Sequence, residues 1–298
     1  MVVVVNPSAG GGRAGKVVGR VASVLHDAGV EHEITVSSSG QDLEARVRAA
    51  AEAGAEVVGC IGGDGTVGLA ANGLVGTETA LAIFPSGTAD DFAHAIGLKQ
   101  LETAARAVVE GTIARIDTGR VSVAETSRSY VAIASCGFDS EVNEAANAMK
   151  LRLGSTGTYV AAVVKTLSRF TPAGFTIDID GETVRGPHML VAVGNSTSYG
   201  GGMQVTPAAS VVDGELDVCM LRALGKGAFL RAFPRVFRGT HVTHPAVQMA
   251  RGKRISIEAD RHVMVYADGE RVGPAPATFE VVPASLSVFV GPNAKAVR

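Results

Sequence analysis

Apolar runs alternate with amphipathic stretches along the first 112 residues of the chain. The runs have the length and composition of short strands, and the stretches between them have the spacing of helices with one apolar face. The predicted elements are a strand from residue 2, a helix over 16–28, a strand over 33–36, a helix over 41–53, a strand over 57–61, a helix over 67–75, a strand over 81–84 and helices up to 110. This alternation predicts a doubly wound, Rossmann-like α/β domain on a parallel sheet.

From about residue 113 the pattern changes to short β-rich runs that are separated by turn signals. Asp-Gly pairs mark turns at residues 180, 213 and 268, and helical stretches interrupt the strands near 139–169 and 226–238. The change of pattern predicts a second, β-rich domain. We expect the first domain to span residues 1–118 and the second to span 119–289.

Composition narrows the class of protein. A chain of 298 residues that is 46% hydrophobic can bury one large or two medium cores, and its formal charge of -2 argues against a nucleic-acid partner. Cys60, Cys136 and Cys219 each lie in an apolar run, which favours buried, reduced thiols and a cytoplasmic protein. The N-terminus has no basic segment and no long apolar run, so we expect neither a signal peptide nor a membrane span. Any membrane contact is expected to be peripheral.

The pentapeptide Gly62-Gly63-Asp64-Gly65-Thr66 joins a predicted strand to a predicted helix. Glycines there let backbone N–H groups converge on a phosphate, and the helix adds the positive end of its dipole. Asp64 would repel a free phosphate unless a divalent cation intervenes. The loop therefore predicts a site for Mg-ATP.

Two other phosphate motifs are incomplete in this chain. Gly63-x-Gly65-x-x-Gly68 matches the dinucleotide fingerprint, but the acidic residue expected after the next strand is missing. Gly10-x-x-x-x-Gly15-Lys16 is similar to a Walker A loop, but Val17 stands where a magnesium-binding Ser or Thr belongs. Each of these motifs is also explained by an ordinary tight turn.

A second loop block decides among these interpretations. Together with Asn6-Pro7 and residues 62–66, the block Pro85-Ser86-Gly87-Thr88-Ala89-Asp90-Asp91-Phe92 resembles the diacylglycerol kinase and sphingosine kinase catalytic-domain family. The soluble bacterial diacylglycerol kinase-like branch is the most similar, and the bias to Arg, Ala, Gly and Val is typical of an actinobacterial source. The resemblance continues through Asp117-Thr118-Gly119, Gly137-Phe138-Asp139, Asn195, Tyr199-Gly200-Gly201-Gly202, Pro207-Ala208, Asp213-Gly214-Glu215-Leu216-Asp217 and Tyr266-Ala267-Asp268-Gly269-Glu270.

The resemblance implies an ATP-dependent lipid kinase with its active site in the cleft between the domains, a sandwich-like second domain, and a C-terminus (about 290–298) that returns to the first domain. It implies an ATP site formed by Asn6, Pro7, Ser8, Gly10, Ser37, Gly62, Gly63, Asp64, Gly65, Thr66, Ser86, Gly87 and Thr88. It implies diacylglycerol, converted to phosphatidic acid, as the acceptor. Sphingoid bases, ceramide, phosphatidylglycerol, phosphatidylinositol and, in a related kinase class, NAD present similar hydroxyls.

The resemblance also assigns the catalytic carboxylates. Asp64 and Asp117 would help to organise Mg²⁺, partly through water, and Asp268 and Glu270 would face the acceptor. Glu270 is the first choice for the base and Asp268 is its rival, since residues two apart in a strand share a face. An ordinary hairpin turn explains Asp-Gly-Glu equally well from spacing alone.

A second metal is implied at the turn of Asp213. There the resemblance places a structural Mg²⁺ on the carboxylate of Asp213 and the carbonyl oxygens of Ser210 and Glu215, although an Asp-Gly turn explains these residues without metal. His241 and His244 lack a third zinc ligand, so we expect them to be solvated loop residues.

Departures from the family pattern keep a non-catalytic interpretation open. Gly68-Leu69 stands where the family has Asn-Glu, Asp90 replaces an Asn, and His94 replaces an Arg. These changes predict altered ATP affinity and allow a nucleotide- or lipid-binding homologue with weak turnover.

Two surfaces are candidates for contacts with partners. In the predicted helix over 226–238, Arg231, Arg235 and Arg238 share one face and phenylalanines share the opposite face, a pattern that suits either an anionic lipid surface or simple packing on a sheet. The edges of a β-rich domain make a homodimer plausible.

Overall fold

The computed structural model describes residues 1–7, 13–148, 154–292, 294 and 297. Within them the helices are α1 (Arg13–Asp27), α2 (Gly40–Glu52), α3 (Asp64–Leu74), α4 (Asp91–Ala95), α5 (Leu101–Glu110), α6 (Phe138–Ala148), α7 (Gly154–Arg169) and α8 (Lys226–Ala232), with 3-10 helices at Phe233–Arg238 and Thr240–Thr243. The strands are β1 (Val2–Val5), β2 (Glu33–Val36), β3 (Val57–Gly62), β4 (Ala80–Pro85), β5 (Ile113–Val123), β6 (Thr126–Tyr130), β7 (Ile133–Gly137), β8 (Ala173–Ile179), β9 (Glu182–Gly194), β10 (Leu216–Arg222), β11 (Val247–Gly252), β12 (Arg254–Ala259), β13 (Met264–Ala267), β14 (Glu270–Pro274) and β15 (Ala277–Phe289).

The first half is a parallel sheet in the order β2-β1-β3-β4. Its strands are rich in Val and Ile because both faces are covered, and their carboxyl ends meet along one edge. The predicted doubly wound α/β architecture is confirmed.

Strand β15 connects this sheet to the second half of the molecule. Its last residues run parallel to β4, with Ser287 opposite Ala80, while the residues before them run antiparallel to β12. Along most of its length β15 also pairs with β5. The chain therefore returns to the first half through β15 itself, ahead of the predicted return near residue 290, because Leu286, Val288 and Phe289 belong to the first hydrophobic core.

The second half is a β-rich layer in the order β14-β13-β7-β9-β8-β12-β15. Two-residue turns join β8 to β9 and β13 to β14, and both residues of each turn have positive φ, as at Asp268 (48°) and Gly269 (81°). Two separate apolar clusters are buried in this half. One lies under α6, α7 and α8, and the other is formed by side chains of the strands themselves. The predicted β-rich second domain is confirmed.

Two local expectations differ from the structure. Helix α3 begins at Asp64, before the predicted start at residue 67, since its first turn includes the glycine loop. The predicted helix over 226–238 becomes 3-10 at Phe233 because Pro234 has no N–H and disrupts an α-helix.

Two further observations concern thiols and membranes. Cys60, Cys136 and Cys219 are free and buried, which confirms the expectation of reduced thiols in the core. Among the described residues, no helix combines the length and the apolar character that crossing a membrane requires.

Candidate active site

The carboxyl ends of the parallel strands carry the predicted nucleotide residues. Asn6 follows β1, Ser37 follows β2, and the two glycine loops follow β3 and β4. Asn6 Nδ2 donates to Thr66 Oγ1 over 3.3 Å, and Ser37 Oγ donates to the Val5 carbonyl over 3.0 Å. Ligands of open α/β sheets bind at this edge. The fold therefore brings the predicted residues together at a usual ligand-binding position.

The two glycine loops touch each other. A Cβ on Gly87 would lie 2.7 Å from the Cα of Gly63 and 2.6 Å from Oδ1 of Asp90, so no larger residue fits there. Asp90 Oδ1 accepts a hydrogen bond from the Gly87 N–H over 3.0 Å. Because α3 begins directly at Asp64, the N–H groups of its first turn and the helix dipole are available to an anion at this point.

The remaining nucleotide candidates differ in exposure. Pro7 and Thr88 are exposed, whereas Ser86 is buried and its Oγ has no hydrogen-bond partner among the residues described. The predicted contacts at Ser8 and at Gly10 lie outside the described residues.

A polar cavity of about 260 Å³ lies between the two halves of the molecule, close to the lower end of the volumes of small-molecule sites. It is lined by Asp64, Gly65, Asp91, Phe92, Val131, Ala132, Asn143, Ser198, Tyr199, Gly200, Asp268, Gly269 and Glu270. The first glycine loop thus faces the turn of Asp268 across the cleft, as the resemblance implies.

Asp64 is the carboxylate of the first loop that faces this cavity. Its Oδ1 accepts from the N–H of Phe92 over 3.1 Å, and in the described part of the chain Oδ2 has no hydrogen-bond partner. Burial and, to a smaller extent, the charge of Asp64 raise the pKa values of the neighbouring carboxyls of Asp90, Asp91 and Asp268.

Asp268 is held by the backbone of the β6–β7 connection. Its Oδ2 accepts from the Val131 N–H (2.8 Å), and its Oδ1 accepts from Ala132 (2.9 Å) and Ile133 (3.2 Å). Burial raises its pKa to about 6, against the effect of these three donors. These bonds fix the position of the turn and leave little of the carboxylate for an acceptor hydroxyl.

Glu270 differs from Asp268 in each of these respects. It is exposed, it lines the cavity, and it pairs with Ala267 across the turn. The expectation that the two carboxylates share a strand face is wrong, because the left-handed turn at 268–269 separates them. Both nevertheless reach the same cavity.

Sequence reasoning gave no role to Asp91 and Tyr199. Asp91 is buried, and its Oδ2 accepts from the Gly201 N–H over 2.7 Å, which ties α4 to the glycine-rich turn at 200–202. Tyr199 lines the cavity directly before that turn. Both residues stand in matched motif blocks, but only the fold shows that the blocks touch.

Asp117 does not line the polar cavity. Its Oδ2 accepts from the Gly214 N–H over 2.7 Å and its Oδ1 accepts from the Ala284 N–H over 2.8 Å. Asn195 Nδ2 donates to the Asp117 carbonyl over 3.0 Å. The structure therefore does not bring Asp117 to Asp64 and uses it to join three backbone segments.

The expected structural magnesium site has a different geometry. Asp213 and Glu215 form ion pairs with Arg251, and Asp213 Oδ1 also accepts from the Glu215 N–H over 3.2 Å. Ser210 is half-buried in the preceding loop. Among the described residues, no group of three His, Cys, Asp or Glu side chains is arranged to hold a metal ion.

A second cavity beside the polar one is apolar. Its lining comes from α6, α7, α8, the 3-10 helix and β9–β10: Phe138, Asp139, Val163, Leu190, Tyr199, Met203, Val205, Cys219, Leu221, Leu224, Phe229, Ala232, Phe233, Val236, His241, His244 and Val247. Tyr199 lines both cavities. The expectation of a solvated His241 is wrong, since this ring is buried with Nε2 3.1 Å from the Val205 carbonyl, and burial lowers its pKa.

Comparisons with known proteins identify the family. Residues 1–121 match the family model of the diacylglycerol kinase catalytic domain, and residues 132–290 match the YegS C-terminal NAD kinase beta sandwich-like domain. The chain is 36% identical over 288 residues to a diacylglycerol kinase of Mycobacterium tuberculosis, covering 95% of this chain and 93% of that one. It is 29% identical over 272 residues to a Stenotrophomonas maltophilia protein named "Probable lipid kinase YegS-like", covering 88% and 87%.

A solved structure shows the same fold. The crystal structure of a diacylglycerol kinase from Bacillus anthracis superposes with a TM-score of 0.75 at 20% identity, covering 98% of this chain and 97% of that one.

Proposed function

The chain belongs to the family of bacterial diacylglycerol kinases and YegS-like lipid kinases, and we propose that diacylglycerol is the lipid whose hydroxyl it phosphorylates, giving phosphatidic acid. As a member it is a lipid kinase that transfers phosphate from ATP to a hydroxyl acceptor.

One observation carries the proposal: a polar cavity and an apolar cavity share the wall formed by Tyr199. A lipid whose small hydroxyl-bearing end is attached to acyl chains needs these two environments side by side. The phenylalanines at 138, 229 and 233 line an apolar cavity of about 80 Å³, which suits the first methylene groups of an acyl chain. Burial of each methylene group favours binding by about 0.8 kcal/mol. Diacylglycerol carries no charge, which suits an acceptor site bordered by carboxylates.

The nucleotide is proposed to lie along the carboxyl ends of β1–β4. The glycine loops at 62–66 and 86–88 would approach the phosphates, with Asn6 and Ser37 beside them. Asp64 suits a Mg²⁺ ion, because the residue lines the cavity and no described group donates to its Oδ2. The metal would spread the charge that develops on the transferred phosphoryl group.

Glu270 is proposed as the base. Its exposed carboxylate borders the cavity opposite Asp64 and takes the proton of the acceptor hydroxyl while that oxygen attacks the γ-phosphorus and ADP departs. Asp268 is proposed as a positioning residue, since its three backbone bonds hold the turn that presents Glu270.

The test is transfer of labelled γ-phosphate from Mg-ATP to a panel of lipids in mixed micelles. The wild type is expected to label diacylglycerol, and Asp64→Asn and Glu270→Gln are each expected to lower the rate by about 100-fold or more. Glu125→Gln, an exposed carboxylate in the β5–β6 turn, is the matched control.

Other outcomes reassign the acceptor or the activity. Preferential labelling of a sphingoid base, ceramide, phosphatidylglycerol, phosphatidylinositol or NAD would replace diacylglycerol. ATP binding by calorimetry without transfer to any acceptor would favour a homologue with weak turnover.

The segment at 226–238 is the proposed membrane contact. Leu230 and Phe237 are 50% and 45% exposed, and no acidic side chain in the described part of the chain pairs with the neighbouring Arg231 and Arg238. The opposite side of the same segment lines the apolar cavity. Exposed apolar groups beside unpaired cations suit an anionic bilayer surface.

Sedimentation with vesicles tests this contact. Leu230→Glu and Phe237→Glu are expected to reduce binding to phosphatidylglycerol-containing vesicles, whereas Val109→Glu, which alters an equally exposed apolar residue on α5, is expected to leave it unchanged. Equal losses in all three variants would contradict the proposal.

The proposed ATP-binding domain consists of residues 1–118 with about 290–298, and the proposed lipid domain consists of residues 119–289. Leu286, at the end of the second range, packs in the core of the first half.

A homodimer stays a prediction. Strands β2 and β14 lie at the two ends of the sheet order and offer edges for pairing with a second copy.

A further inference from the structure

Three carboxylates converge on the side chain of Arg251. Its Nη2 pairs with Asp213, its Nη1 lies 3.3 Å from Glu215 Oε2, and its Nε lies 3.4 Å from Asp217 Oδ2. Asp213 and Glu215 stand in the loop before β10, and Asp217 is the second residue of that strand. One planar guanidinium thus bonds a loop and a strand at once.

The strand register fixes this arrangement. Arg251 of β11 lies directly opposite Asp217 of β10. The Asp217 side chain is only 4% exposed. Its Oδ2 accepts no hydrogen bond in the part of the chain that is described, so the nearby guanidinium of Arg251 neutralises its charge through an ion pair.

Asp117 holds the other side of the same loop. Its carboxylate accepts from Gly214, and its own N–H donates to the Val211 carbonyl over 2.6 Å. Since the second oxygen of Asp117 accepts from Ala284 of β15, the loop is attached to the strand that joins the two halves. Residues 211–215 are therefore held by ion pairs from Arg251 and by backbone hydrogen bonds with Asp117.

A divalent cation does not fit this set of contacts. One oxygen of Asp213 is paired with Arg251 and the other accepts from the Glu215 N–H, so the ligand expected to lead the metal site is already occupied. A guanidinium and a Mg²⁺ ion on one carboxylate would also repel each other.

We infer that Arg251 takes the place of a structural divalent cation and fastens the 211–215 loop to the β-rich half. The stability that this loop contributes is therefore independent of a divalent metal in the loop and dependent on Arg251. This inference is separate from the proposed acceptor and from Mg²⁺ at the phosphate loop.

Thermal unfolding without nucleotide tests the metal side of the inference. The Tm of the wild-type chain is expected to be the same in EDTA and in Mg²⁺ at matched ionic strength. A saturable rise of the Tm in Mg²⁺ that disappears in Asp213→Asn would overturn the inference. A rise that survives in Asp213→Asn belongs to another site and leaves the wild-type loop metal-free, as proposed.

Substitution of the arginine tests the other side. Arg251→Met is expected to lower the Tm by several degrees more than Arg254→Met, whose side chain makes one exposed ion pair with Glu280 on the neighbouring strand. Arg251→Lys is expected to recover part of the loss, because an ammonium keeps the charge without the planar fork. Equal Tm values for Arg251→Met and Arg254→Met would contradict the inference, and if Arg251→Met does not fold, the Arg251→Lys comparison decides.

Discussion

Gly68 lies where helix α3 meets the turn that carries Asp268. A Cβ at this position would lie 2.9 Å from Cβ and 3.0 Å from Oδ2 of Asp268. The family's Asn could not be accommodated here without moving that carboxylate. The departure noted in the sequence is therefore an adjustment of the site, and Gly68 lets Asp268 reach its three backbone donors.

We predict that Gly68→Ala lowers both kcat and the free energy of unfolding, because it displaces Asp268 and thereby the turn of Glu270. Gly19→Ala is the control, since nothing lies within 4 Å of its added Cβ in α1. That substitution is expected to stabilise the chain by about 0.5–1 kcal/mol through helix propensity. Urea unfolding and the lipid kinase assay measure the pair, and stabilisation by both substitutions would contradict the prediction.

Asp90 is the other departure with a physical consequence. Burial raises its pKa to about 6, the Gly87 N–H opposes the shift, and the charge of Asp64 adds to it. Its negative charge, present above that pKa, lies beside the second glycine loop, where it would oppose the binding of ATP that we propose.

We predict that Asp90→Asn tightens ATP binding about three- to tenfold at pH 7.5 by removing one like charge. The Asn Oδ1 can still accept from Gly87. Because the wild-type carboxyl is protonated below its raised pKa, the advantage of the variant is expected to shrink as pH falls from 7.5 to 5. Calorimetric titration with ATP measures both effects, and a pH-independent difference would show that charge is not the cause.

At the scale of elements, β5 and β6 pack through one glycine. Gly119 lies opposite Tyr130, and a Cβ on Gly119 would lie 2.1 Å from Cζ of that buried ring. The Asp117-Thr118-Gly119 motif thus combines a carboxylate that joins three segments with a position that only glycine can occupy. The motif could be recognised in the sequence. The reason for its glycine could not, because it depends on the ring of Tyr130 on the neighbouring strand.

We predict that Gly119→Ala lowers the free energy of unfolding by about 1–3 kcal/mol through overpacking. Tyr130→Ala is expected to be destabilising on its own by removing a buried ring. The double variant is expected to be more stable than the sum of the two losses, since the added methyl group then has space. Strictly additive losses in urea unfolding would contradict the assigned clash.

The order and type of most elements followed from the sequence because hydrophobic periodicity is a local property. The predicted start of α3 at residue 67 was wrong, because the glycine loop forms the first turn of the helix from Asp64. The length of β5 depends on more distant segments, since the strand extends to Val123 by pairing with β15 and β6.

At the scale of the whole molecule, β15 joins the two halves by pairing with strands of both. The three thiols report on three separate apolar clusters, because Cys60 lies in the core of the first half and Cys136 and Cys219 lie in two clusters of the second. Burial raises the pKa of Cys60, Cys136 and Cys219 to about 12, with the charge of Asp90 adding to the effect at Cys60 and that of Asp139 at Cys136.

We predict that a disulfide reagent modifies none of the three thiols in the native chain at pH 8 and all three in denaturant, since the thiolate is the reactive form. The labelling rate in low urea is expected to follow global unfolding for Cys60 and Cys136. Fast labelling of Cys219 alone would show that the segment over the apolar cavity opens separately.

The sequence by itself determined the family, the kinase activity, the fold class and the strand-loop-helix units that carry Asp64 and the glycines. These features are written in contiguous residues, and local spacing and backbone requirements are enough to specify them. Only the tertiary structure decided that Asp268 binds the backbone of residues 131–133, that Asp117 binds the backbone of Gly214 and Ala284, and that Arg251 meets Asp213 and Asp217. Such contacts join residues far apart in the chain, and they depend on strand register and on the packing of two halves that no local pattern encodes.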